Sequence, residues 1–180
     1  MRTGLALSWA ALRWATHFYA RHFWIVFGLS MIPTVQRFIA VRYSDDLPAA
    51  AQIGGEILTG LARLLLVYVV LRLAFREPGL ANLTLGERWL RLTAGINERV
   101  RDFWFQFLVL AAAFVVLDIL PTAAIALLVP DEWQNLVSSV LVSVKNPTVI
   151  AYTILWMLGI GRTLMVGDRR TVTIHEPSAT

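Results

Sequence analysis

The sequence predicts an all-α, polytopic membrane protein, with about four transmembrane helices and two amphipathic interfacial helices. Three observations predict it. Of the 180 residues, 57% are apolar and 16% charged, against about 45–50% and about 25% in soluble domains. Four apolar stretches are each long enough to cross about 30 Å of hydrocarbon at about 1.5 Å per residue. The arginines crowd to one side of those stretches, as the positive-inside rule requires of cytoplasmic segments.

The chain reads as one integral membrane domain, 1–180, whose elements follow in order. Residues 5–22 have helical period, with Arg13, His17 and Arg21 at i, i+4 and i+8 forming a thin cationic stripe on an otherwise apolar helix. Such a helix is expected deep in the membrane surface, its stripe turned toward lipid phosphates or an acidic partner. The first compact apolar run begins only at Phe23, after Arg2, Arg13 and Arg21, so a cleaved leader is not expected. The first span is 23–41 and the second 51–74. Between the second and third, 84–99 is amphipathic: Leu85, Trp89, Leu92 and Ile96 share one face, Glu87, Arg91 and Glu98 oppose it, and Arg88 and Arg99 flank it where they can snorkel. The third span is 103–129, in which Pro121 is expected to kink the helix or end its regular part. The fourth is 148–166. Residues 136–147, ending in Asn146-Pro147, either extend it outward or lie at the interface. A polar tail, 167–180, closes the chain.

With four spans, twelve arginines (Arg2, Arg13, Arg21, Arg72, Arg76, Arg88, Arg91, Arg99, Arg101, Arg162, Arg169, Arg170) fall on one side, and only Arg42 and Lys145 on the other, beside Asp45, Asp46, Asp131 and Glu132. Both termini are therefore expected in the cytoplasm, the membrane being an inner or plasma membrane. Trp9, Trp14, Trp24, Trp89 and Trp104 cluster near the same face, as an interfacial belt does. The preference for Arg over Lys, with abundant Ala, Leu and Val, suggests a GC-rich bacterial genome.

Two segments share a plan. Arg21-His22-Phe23-Trp24 opens the first span and Arg101-Asp102-Phe103-Trp104 the third; Ile32-Pro33-Thr34 and Leu120-Pro121-Thr122 follow. Each is preceded by a helical segment bearing Trp and Arg. A tandem parallel repeat accounts for this. So does the common chemistry of membrane entry, with Arg at phosphate level and aromatics below it.

Ionisable residues within spans are expensive and point to function by default. Helical rise puts Arg37, Glu56 and Asp118 at a similar depth in the outer half on three helices, Arg63 near the midplane and Lys145 near the outer boundary. Two readings follow. Pairs of the type Arg37–Glu56 and Arg63–Asp118 fix helix register; or the cluster lines a cavity for a lipid headgroup, an ion or a partner helix.

Other chemistry is not in evidence. There is no cysteine, so thiolate metal sites and Cys nucleophiles are excluded. His17, His22 and His175 have no metal-binding spacing, and Gly54-Gly55 and Gly159-Ile160-Gly161 lack the context of a nucleotide loop. No catalytic motif, cofactor, metal or nucleic-acid partner is expected; the basic charge flanks apolar spans and suits anionic headgroups at the cytoplasmic face. With little soluble mass, the chain is expected to be a non-enzymatic accessory or scaffold subunit, packing against other membrane subunits or itself. The alternative is a minimal transporter, channel or lipid-binding protein that uses the charge cluster.

Overall fold

The computed structural model describes residues 2–43 and 47–167. The expected outer-loop carboxylates Asp45 and Asp46, the arginines Arg169 and Arg170, and the tail beyond Gly167 lie outside them. Regular structure among the described residues is wholly helical. We number six helices: α1 (Arg2–Arg21), α2 (Phe23–Arg42), α3 (Ala49–Ala74), α4 (Leu85–Glu98), α5 (Val100–Leu128) and α6 (Asp131–Val166). Four of them, α2, α3, α5 and α6, are long and apolar enough to cross a membrane.

The helix ends follow from local chemistry. Pro48 and Pro130, at N-cap positions with extended ψ near 146° and 145°, start α3 and α6. Asp131 and Glu132 then sit in the first turn of α6, where the helix dipole favours negative charge. Gly167, with φ of +62°, ends that helix in a conformation that glycine adopts without strain. α4 opens with a capping box, Thr84 and Glu87 satisfying each other's backbone N–H groups.

α2 continues through Pro33 as an α-helix, whereas α5 and α6 continue through Pro121 and Pro147 with one wide π-type turn each. In α5 the turn is Val115–Ile119, with Leu120 N–H bonded to Val115 O; in α6 it is Asn146–Ile150, with Ala151 N–H bonded to Asn146 O. Pro121 therefore does not end the third span. Residues 136–147 are continuous with 148–166: they lie within the first half of a 36-residue helix. Pro147 leaves the Ser143 carbonyl without its usual donor, and the Thr34 hydroxyl reaches it at 3.4 Å.

α2 and α5 run antiparallel to α6, and α3 runs parallel to it. α2 pairs with α3 through Gln36–Thr59 and Arg37–Glu56. α3 runs parallel to α6, from Arg63–Asn146 down to Glu77–Arg162. α5 returns alongside α6, tethered at Asp118–Lys145. The core is a seam of Ala15, Phe18, Val26, Leu66, Val70, Ala151 and Leu155, continued by Leu7, Ala11, Ile160 and Leu164.

α1 departs from expectation. It does not lie apart as a surface helix; it packs lengthwise along the second half of α6, a contact that only α2 exceeds on that helix. Leu7 reaches Leu164, Ala11 lies against Gly159, and Tyr19 donates to Pro147 O at 2.7 Å, so the two helices run antiparallel side by side. The reason is steric. A Cβ on Gly159 would stand 2.9 Å from Ala11 O and 2.8 Å from the Trp14 ring, so only glycine lets the backbones come this close. α4 crosses the same end of α6, with Gly95 against Leu164 O, and buries no residue completely. α1 and α4 each precede two helices long and apolar enough to cross a membrane. They differ in that α1 belongs to the core and α4 to its edge.

Candidate functional site

The charges expected at span depth come together in one belt across α2, α3, α5 and α6, with two ion pairs and one cation left over. Arg37 Nη2 donates to Glu56 Oε2 at 2.8 Å, on a half-exposed edge of the α2–α3 pair. This is the pairing that the spacing suggested. Behind it, Thr59 donates to Gln36 Oε1 at 2.9 Å and seals the contact.

Asp118 pairs with Lys145 and not with Arg63. Lys145 Nζ is 2.8 Å from Asp118 Oδ1, 2.9 Å from Asp118 O and 2.9 Å from Thr122 Oγ1. An ammonium has three donors, and here each has an acceptor. That accounting explains how Lys145 can be 6% exposed. The physical cause is the pair of π-type turns. Lys145 immediately precedes the wide turn of α6, and Asp118 lies inside that of α5. Lys145 therefore sits inside one continuous helix, not before a separate fourth one. The Thr122 hydroxyl also bonds Asp118 O at 2.8 Å, one turn below.

Arg63 lies between these pairs without a carboxylate. Its Nη2 is 3.4 Å from Asn146 Oδ1, and its Nε is buried with no partner among the described residues. Asn146 is fully buried and also donates to Val142 O at 3.2 Å and Pro33 O at 3.4 Å.

A second polar node ties the other end of the bundle. Arg162 Nε donates to Glu77 Oε2 at 2.7 Å, and Trp14 Nε1 donates to Glu77 Oε1 at 3.1 Å. Trp14, expected in the interfacial belt, is thus half-buried and joins α1 to the end of α3. Trp9, Trp24, Trp89 and Trp104 are exposed, as are Arg13, His17 and Arg21. Arg88 folds back on its own chain: it donates to Leu80 O at 3.1 Å, and its guanidinium stands 4.3 Å from the Phe75 ring centroid. Arg99 is half-buried at the break between α4 and α5.

Sequence reasoning missed Glu77, Asn146 and Thr122. Asn146-Pro147 and Leu120-Pro121-Thr122 were visible as kink signals, and a proline within a span does mark loosened carbonyls that need donors. Glu77 had no signal: it sits in a turn, outside any periodic face.

Between its tethers at Gln106 and Asp118, α5 stands off from the bundle. The groove behind it, about 740 Å³, is lined by apolar side chains and a few hydroxyls, among them Thr16, Tyr19 and Tyr152. Thr16 and Tyr152 bond to each other across it. Among the described residues no three His, Asp or Glu side chains converge as metal ligands. Comparison with protein-family models, curated proteins and solved structures finds no match for this chain.

Proposed function

We propose that this chain is a small, non-enzymatic integral membrane protein of an inner or plasma membrane, with both ends cytoplasmic, serving as an accessory or scaffold subunit. One observation carries the reading. Both carboxylates at span depth, Glu56 and Asp118, are occupied by cations of the same chain at 2.8 Å. Groups already neutralised in register-fixing pairs are poor candidates for general acid–base work or for a relay. The four long apolar helices supply the membrane, and the apolar surface they leave exposed is what such a subunit would present to others.

Native mass spectrometry from nanodiscs formed directly from host membranes tests this. The expected result is the chain bound to other polypeptides or to copies of itself. A lone 20.2 kDa chain retaining a solute or lipid would overturn it. The groove behind α5 favours that second reading, a lipid-binding protein, because its volume is within the range of about 300–1,000 Å³ usual for ligand pockets.

A further inference from the structure

The charges at span depth do not sum to zero. Arg37 with Glu56 and Lys145 with Asp118 form neutral pairs, each at 2.8 Å. Arg63 remains. No carboxylate among the described residues is within ion-pair distance of it, and its Nε is buried without a partner. Arg63 is partly buried; an ion partly removed from water without a paired counter-charge is disfavoured, and the side-chain amide of Asn146 at 3.4 Å offers a dipole, not a charge.

Depth restricts what the missing anion can be. Arg63 is 63 − 49 = 14 residues from Ala49 and 74 − 63 = 11 from Ala74, the ends of α3, or about 21 Å and about 17 Å by helical rise. With α3 spanning the bilayer, the guanidinium lies near the middle of about 30 Å of hydrocarbon, whereas lipid phosphates lie outside it. A carboxylate at that depth is carried by a helix. The surface admits one: Gly60, one turn before Arg63 and so on the same side of α3, is exposed, and a Cβ there would meet nothing within 4 Å. A glycine on an exposed span lets a second helix approach closely.

We infer that Arg63 is the recognition residue for a partner subunit, pairing with an Asp or Glu in a transmembrane helix that docks on α3 at Gly60. This rests on the accessory-subunit reading and names its contact. It also gives the uneven charge a purpose: the lone chain holds a cation that only the complex neutralises.

The test uses the full chain in native membranes, with a photoreactive amino acid at Gly60 and, separately, at Leu108 on the exposed face of α5. The Gly60 adduct is expected on an apolar, membrane-length segment of another polypeptide that contains an Asp or Glu. Arg63→Met should lower its yield about tenfold or more, while Arg63→Lys keeps most of it. Reversing the captured carboxylate to Lys should abolish the adduct, and adding Arg63→Glu should restore it. An unchanged yield in Arg63→Met, a captured segment without an acid, or adducts to phospholipid alone would overturn the inference; protein adducts from Leu108 would leave the accessory reading standing. Absence of protein adducts from both positions would remove both. The isolated chain gives an independent readout. Arg63→Met should melt higher than wild type, because it removes an uncompensated cation. A lower melting temperature would mean that Arg63 is satisfied within its own chain, and would refute the inference.

Discussion

At the scale of single residues, Lys145 best illustrates how a charge is held in an apolar bundle. Its three donors meet two oxygens of Asp118 and the hydroxyl of Thr122, so no donor is left unmatched. Removing the ammonium leaves Asp118 facing apolar helices, although at 39% side-chain exposure it is not wholly cut off. Lys145→Met should therefore destabilise by about 3 kcal/mol, the lower end for breaking a buried pair. Lys145→Met with Asp118→Asn should recover most of that loss. Thermal unfolding in a defined detergent measures both, and a double variant no better than either single would mean that the two groups do not act as a pair. Glu87 makes a pH-dependent case outside the spans. Its carboxylate accepts the Thr84 backbone N–H and then the Thr84 hydroxyl, which hold its pKa below the usual glutamate value. A depressed folded-state pKa means that the cap stabilises α4 above the ordinary glutamate range and loses that contribution as pH falls through the depressed value. The protection of α4 amides relative to their intrinsic exchange rates should fall on acidification, less so in Glu87→Gln. Thr84→Ala should cost about 1 kcal/mol at neutral pH.

At the scale of elements, close approach separates glycines that look alike in sequence. Gly159 and Gly28 both lie inside apolar helices. A Cβ at Gly159 would collide with Ala11 and Trp14, whereas one at Gly28 would meet nothing within 4 Å. Gly28→Ala should therefore stabilise by about 0.5–1 kcal/mol through helix propensity. Gly159→Val should destabilise by about 1–3 kcal/mol by forcing α1 off α6, and should also weaken the Trp14–Glu77–Arg162 node. Thermal unfolding of the two variants should shift in opposite directions. The helix limits themselves were legible from composition: α2, α3 and α4 begin and end within two residues of their expected bounds. The continuity of α5 and α6 was less so. A proline in a span predicts a disturbance, but whether the chain kinks, stops or widens by one residue depends on which neighbours supply the missing donors. At Pro147, Thr34 supplies one here from another helix, at the Ser143 carbonyl.

At the scale of the whole molecule, the N-terminal part of α1 and Gly167 border the same crevice at one end of the bundle, with Glu98, Arg99 and Asp102. Four crossings would put both ends on one side. In the absence of any cysteine, single cysteines placed at Ala6 and Gly167 should both resist a membrane-impermeant maleimide in intact cells and react in inverted vesicles. Opposite behaviour at the two positions would rule out an even number of crossings. α6, at 36 residues or about 54 Å, is longer than about 30 Å of hydrocarbon, so as a span it would tilt or project beyond it.

The amino-acid order alone determined the helical class, the four long apolar segments and the presence of five ionisable residues within them, because hydrophobic period and length are local properties. Only the tertiary structure decided that α1 belongs to the core, that Asp118 takes Lys145, that Trp14 joins Glu77 and that Arg63 is the cation left over. Helical rise fixes depth along each helix but not rotation or neighbour. Which charges meet is therefore set by how closely small residues such as Gly159 and Ala11 let the helices approach, and by the widened turns that re-aim side chains beyond them.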